Sequence, residues 1–252
     1  MTDNHRSIQL EVALQEKLDR REPIWAVGDI HGHHDSFRAL LSKLDTDDCV
    51  VCLGDLIDRG PRSAQVLELV RDSEHICSLK GNHESMMEKA LSTNKRKHWK
   101  SWLKYGGEQT LDSINRDRAV AISMSPSWLP FLSALPSEIV LNGHRLVHAG
   151  YDMEKSLGDQ TENDRLWSRG LIDTKEIPDE SRQVIFGHTP IQTKGHDPNM
   201  GPWKSKIDLP DGRNSLVGLD TGICMPRNDN PKLTAFNIQD GSHVSVDRIE
   251  DY

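Results

Sequence analysis

Five short stretches of the 252-residue chain place side chains that can hold a metal or move a proton beside glycines. Gly28-Asp-Ile-His-Gly32 carries Asp29 and His31, and Gly54-Asp-Leu-Ile-Asp-Arg-Gly60 carries Asp55, Asp58 and Arg59. Gly81-Asn-His-Glu84 carries Asn82 and His83, and further along come His148 and Gly187-His188-Thr189. The donors are carboxylates, imidazoles and one amide oxygen, with no thiolate. Such a set suits hard to borderline divalent cations (Mn²⁺, Fe²⁺ or Zn²⁺) rather than a cysteine-rich structural zinc. One stretch alone would read as a turn with a capping aspartate. Five in order, each at the end of an apolar run, point to one shared site.

Residues so far apart in sequence can meet only if the chain delivers them from neighbouring strands. Apolar, β-rich runs at 24–27 and 49–53 end at Gly28 and Gly54, and a third at 75–79 leads to Gly81. Helical i, i+3, i+4 spacing follows the first two, in Phe37, Leu40, Leu41 and Leu44 and then in Val66, Leu67, Leu69 and Val70. This predicts an α/β start with its loops gathered at the strand C-termini, where such sheets bind ligands. The region 84–135 reads as helical, with Trp99, Trp102 and Trp128 as packing residues. A hairpin with an Asn142-Gly143 turn is expected over 139–148. Further strands are expected at 184–186, 216–219, 233–236 and 244–246, the last ones in meander order. The Pro-, Gly- and charge-rich segment 196–214 reads as a mobile loop. No repeat or linker divides the chain, so one domain is expected over 23–252. It follows an extension, 1–22, in which Ile8, Leu10, Leu14 and Leu18 predict a short helix packed on that domain.

Lysine and arginine number 31 against 39 acids, a net charge of −8 that gives no basic footprint for nonspecific nucleic-acid binding. No run approaches the ~20 apolar residues of a membrane span, and the N-terminus lacks the apolar core of a signal peptide. A cytoplasmic protein without membrane partners is expected, with the oligomeric state open and a monomer compatible. Cys49 and Cys52 have C-x-x-C spacing, but strand residues i and i+3 face opposite sides. They are expected as buried thiols. His33 and His34 are expected to start a helix or face solvent, and His5, His75, His98, His144, His196 and His243 have no motif around them.

Taken together, the first three stretches resemble the signature of the calcineurin-like metallophosphoesterases. More narrowly they resemble the phosphoprotein phosphatase family, in its compact bacterial and bacteriophage form. His148-Ala-Gly150, Leu166-Trp-Ser-Arg169, Phe186-Gly-His-Thr-Pro190 and Asp220-Thr-Gly222 extend the likeness over about 23–240. The resemblance implies a four-layer α/β fold, a central β-sandwich of mixed sheets flanked by helices, with two metals at the strand tips. It implies Asp29, His31 and Asp55 as ligands of one metal, and Asp55, Asn82, His148 and His188 as ligands of the other, Mn²⁺ foremost with Fe or Zn as alternatives. It implies His83 as general acid, Asp58 as its orienting partner, and Arg59 and Arg169, with Asn82, as groups binding the substrate phosphate.

The implied activity is hydrolysis of phosphoserine and phosphothreonine in proteins or peptides. The rival is symmetrical diadenosine tetraphosphate hydrolysis on the same scaffold. Those hydrolases tend to lack the aspartate that Asp58 supplies and to end the third motif in aspartate rather than Glu84. Phosphodiesterases and nucleases of the wider superfamily typically carry G-H-x-H, where this chain has Pro190 in place of the second histidine. A binding module that had lost activity would be expected to lack ligands, and none is missing.

Overall fold

The computed structural model describes residues 6–251. In chain order its elements begin α1 (Ile8–Asp19), β1 (Ile24–Val27), α2 (His34–Leu41), β2 (Cys49–Cys52), α3 (Ser63–Asp72), β3 (Ile76–Ser78) and α4 (Asn82–Thr93). A helical excursion follows: α5 (Arg96–Trp102), a π-turn (Leu103–Gly107), α6 (Glu108–Ile114), α7 (Arg118–Met124) and α8 (Leu129–Ala134). The remainder comprises β4 (Glu138–Val140), β5 (His144–Val147), α9 (Glu162–Trp167), β6 (Gln183–Phe186), β7 (Trp203–Lys204), β8 (Leu216–Gly218), β9 (Lys232–Asn237) and β10 (His243–Asp247).

The strands form two five-stranded mixed sheets, ordered β10-β9-β1-β2-β3 and β4-β5-β6-β8-β7. Each has a parallel trio at its centre or flank, β1-β2-β3 in one and β5-β6-β8 in the other. Strand alternation places Ile24, Ala26, Cys49 and Val51 of the first sheet against Leu146, Ile185 and Val217 of the second, a dry sandwich core. The opposite face of the first sheet, with Val27, Val50 and Cys52, packs under the helices. The outer face of the second sheet, with Val147, Val184 and Phe186, is covered by Tyr151, Leu171, Ile172 and Ile191 from irregular segments. Cys49 and Cys52 thus serve opposite cores, as strand geometry requires.

Several expectations are corrected. The last strands do not form one meander, because β8 belongs to the second sheet while β9 and β10 pair as a hairpin in the first. The segment 196–214 contains edge strand β7, and an Asp208–Asn214 bridge closes its far end. Helix α2 stops at Leu41, with Leu44 still packed on the core beyond it. His33 caps α2, but it is fully buried, with Nδ1 2.9 Å from the Ile30 carbonyl, rather than facing solvent. His5 lies outside the described residues. No described helix is long and apolar enough to cross a membrane.

Helix α1 closes an end of the sandwich. Leu14 is buried among the sandwich residues, Leu10 and Leu18 pack beside it, and Ile8 is 62% exposed. Glu11 accepts the Val140 N–H at 2.8 Å and pairs with Arg6, which ties the helix to β4. Leu14→Ala should therefore cost about 2–4 kcal/mol in urea unfolding, whereas Ile8→Ala should stay within about 0.5 kcal/mol of the parent. Equal effects of the two substitutions would show that α1 does not close the core.

Candidate active site

Strand ends deliver the chemistry. Asp29 and His31 follow β1, Asp55 follows β2, Asn82 and His83 open α4 after β3, His148 follows β5, and His188 follows β6. All seven side chains are buried, within one hollow where the two parallel trios point the same way. The turns are tight enough to force His31, Asp55, Asp58, Arg59 and His188 to positive φ, between 46° and 73°. Each such non-glycine residue costs of order 1–3 kcal/mol and persists only where the surroundings hold it. What holds these is visible in the hydrogen bonds. Glu84 accepts the backbone N–H groups of Gly81, Asp55 and Leu56 at 2.7–2.8 Å, so one buried carboxylate locks two of the loops together. A Cβ on Gly81 would run into the Asp55 carboxylate, which explains glycine there.

Asp55 sits at the hub. Its Oδ1 accepts the His83 N–H at 3.1 Å and lies 3.4 Å from His148 Nε2, while its Oδ2 lies 3.6 Å from His31 Nε2 and 3.8 Å from His83 Nε2. Burial works against its charge, but the imidazoles of His148, His83, His31 and His188 outweigh that and hold it below the usual carboxylate range. Asp29 goes the other way: burial, then Asp220 and Asp55, push it well above that range. Asp220, at the end of β8, is pushed up to about 6 by burial.

The imidazoles are arranged as ligands. His31 Nδ1 lies 2.9 Å from the Ile57 carbonyl, and His148 Nδ1 lies 2.8 Å from the Leu53 carbonyl. A carbonyl only accepts, so each Nδ1 carries the proton and each Nε2 turns a lone pair inward. Burial keeps both rings neutral by lowering their pKa, and lowers His188 to about 2. His148 Nε2 and His188 Nδ1 both lie 2.9 Å from Asn82 Oδ1, and His31 Nε2 lies 3.8 Å from Asp29 Oδ2. Lone pairs converge there beside buried carboxylates that repel one another. Cations between them relieve both problems, and these donors fit divalent metals.

His83 serves a different side of Asp55 from its neighbour Asn82. Its Nδ1 lies 2.7 Å from Asp58 Oδ2, and its Nε2 faces the hollow. Burial would lower its pKa, but Asp55 and the hydrogen bond it donates to Asp58 raise it. Asp58 is fully buried and itself pinned: Trp102 Nε1–H donates to both its oxygens at 3.0 and 3.1 Å, and the Thr110 hydroxyl donates to Oδ1 at 2.6 Å. Arg59 donates to His31 Nε2 at 2.9 Å and to His83 Nε2 at 3.0 Å, so its guanidinium reaches into the hollow. Arg169 stands exposed at the rim, 3.4 Å from the His188 carbonyl and from Thr189 Oγ1.

Sequence reasoning gave no site role to three contributors. Trp102 was expected only to pack; it does, but its N–H also holds Asp58. Thr110 had no signal at all, since a hydroxyl in a helical stretch is unremarkable. Asp220 shared the signal of the others, a strand followed by an aspartate, and could have been found by it.

A family model for calcineurin-like phosphoesterases matches residues 22–206, and the chain belongs to that family. It is 30% identical over 178 residues to serine/threonine-protein phosphatase 2 of Escherichia coli, a match covering 66% of this chain and 78% of that protein. It is also 31% identical over 191 residues to a symmetrical bis(5'-nucleosyl)-tetraphosphatase of Delftia acidovorans, covering 72% of this chain and 61% of that protein. Among solved structures, a metallophosphoesterase from Sphaerobacter thermophilus shares the fold at a TM-score of 0.55 and 18% identity, over 91% of this chain and 88% of the other. The chain is a metal-dependent phosphoesterase.

The geometry divides two aspartates of one loop between different tasks. Asp55→Asn should weaken Mn²⁺ binding by more than about 100-fold in calorimetry, because the hub loses its charge. Asp58→Asn should leave the Mn²⁺ stoichiometry as in the parent. Loss of metal in the Asp58 variant as severe as in the Asp55 variant would refute the division.

Proposed function

We propose that the chain hydrolyses phosphoserine and phosphothreonine monoesters in proteins or peptides. The observation that carries this reading is the His83–Asp58 contact. The oxygen leaving from a serine or threonine is an alkoxide, a poor leaving group that needs a proton as the P–O bond breaks. The phosphate-linked leaving group of a dinucleoside polyphosphate departs as a stabilised anion and has little need of one. A fully buried carboxylate held by two donors, and raising the pKa of the imidazole it orients, is costly to build. It suits a reaction that requires the acid.

In this reading Asp29, His31 and Asp55 would hold one divalent ion, and Asp55, Asn82, His148 and His188 would hold the other, Mn²⁺ foremost with Fe²⁺ or Zn²⁺ as alternatives. Such ions supply Lewis acidity toward phosphate and lower the pKa of the attacking water. Arg59 exchanges its imidazole partners for phosphate oxygens, which a planar guanidinium matches in pairs. Arg169 takes another phosphate oxygen from the rim, and Asn82 steadies the phosphate alongside its metal. His83 Nε2–H delivers its proton to the leaving oxygen, and Asp58 keeps the ring aligned and stabilises its charge. Similarity to the E. coli phosphatase supports the protein-phosphatase reading. Similarity of the same degree to the Delftia tetraphosphatase keeps diadenosine tetraphosphate as the second reading.

A Mn²⁺-loaded panel separates them. The parent should hydrolyse phosphoserine and phosphothreonine peptides with kcat/KM at least about tenfold above that for diadenosine tetraphosphate, a gap of about 1.4 kcal/mol. Chelation should abolish all of these activities. A preference for the dinucleotide would overturn the substrate assignment, and full activity without metal would overturn the mechanism.

A further inference from the structure

The segment 95–104 holds five basic residues, Lys95, Arg96, Lys97, Lys100 and Lys104, with no acid among its ten positions, in a chain whose net charge is −8. A basic helix face is ordinarily just solvated, but three observations set this one apart. None of the five forms an ion pair among the described residues; exposed bases such as Arg38, Lys89, Arg116 and Lys175 also lack one, but singly, whereas here five stand within ten positions. A cleft of about 400 Å³ is lined by Arg59, Lys104 and Tyr105, and a second of about 470 Å³ is lined by Lys104, Lys100 and Arg96, with Glu108, itself paired to Arg118, on its wall. The segment is also fixed to the catalytic loop: Trp102 donates to Asp58, and the Arg59 N–H donates to the Gly106 carbonyl at 3.2 Å within the π-turn. The chain kinks there, with Gly106 at a φ of 110°.

We propose that the outer face of 96–105 is a subsite for acidic residues flanking the phosphorylated residue of a peptide substrate, an inference that rests on the phosphopeptide reading above. The inner face of the same segment orients the acid, and the outer face reads the neighbourhood of the phosphate. From Lys104 to Arg96 the helix rises roughly 12 Å, at about 1.5 Å per residue. An extended peptide covers that in roughly four residues at about 3.3 Å each. The Lys104 ammonium lies 5.5 Å from the Tyr105 ring centroid, so a side chain of the substrate meets both charge and an aromatic face there.

The test compares two phosphoserine peptides of equal length, one with three glutamates and one with three alanines beside the phosphoserine. The parent should favour the acidic peptide in kcat/KM by about tenfold, since each exposed pair contributes a factor of a few, and added salt should erode that ratio. Lys100→Glu with Lys104→Glu should abolish or invert the ratio. Lys206→Glu, an exposed charge reversal in the loop after β7, should preserve it. The readout is a ratio within each protein, so any loss of folded fraction cancels. Equal rates on both peptides in the parent, or an unchanged ratio in the double variant, would overturn the subsite while leaving phosphopeptide hydrolysis intact. Hydrolysis of diadenosine tetraphosphate with neither peptide cleaved would overturn the phosphopeptide reading and the subsite together.

Discussion

A buried negative charge needs compensation, and Asp55 meets one backbone N–H and, from both sheets, imidazole nitrogens whose lone pairs suit a shared cation. It receives a backbone N–H from the start of α4 and faces imidazoles from the ends of β1, β5 and β6. An isolated carboxylate in such a place would take up a proton instead. The architecture makes the ionised form possible because two parallel trios aim their C-terminal ends at the same point, so that loops distant in sequence contribute at short range. Strained backbone at His31, Asp55 and His188 is a consequence of the same demand: the turns must reverse sharply enough to bring the side chains inward. Glu84, bonded to three backbone N–H groups, offsets part of that strain.

Asp58 shows how a second carboxylate three residues later acquires a different task. It turns away from the hub into the helical excursion, where an indole N–H and a hydroxyl occupy its oxygens and leave one of them to His83. Its donors come from α5 and α6, which flank the π-turn bonded to Arg59. The helical layer therefore does more than cover the first sheet. It sets the orientation of His83 through Asp58, and through the same turn it sets the position of Arg59.

Much of this was legible because strand ends have a simple grammar. An apolar run, a glycine and a polar ligand identify both the strand and what it delivers, and the structure brings Asp29, His31, Asp55, Asn82, His148 and His188 together. Pairing between strands was less legible. Adjacent runs at 216–219 and 233–236 look like a meander, but nothing local states that the chain crosses from one sheet to the other between them. The roles of Trp102 and Thr110 were illegible for a further reason. Their side chains are also what an ordinary helical core and surface would use, and only the three-dimensional path of the Asp58 loop gives them partners.

The central claim is that His83, held by Asp58, protonates the leaving oxygen. Steady-state kcat for His83→Asn on nitrophenyl phosphate and on a phosphoserine peptide, with both proteins shown to bind Mn²⁺ equally, tests it most directly. Nitrophenolate leaves readily without a proton and the serine alkoxide does not, so the account predicts a much larger loss on the peptide, by a factor of about 10² or more. Equal losses on the two substrates would contradict it.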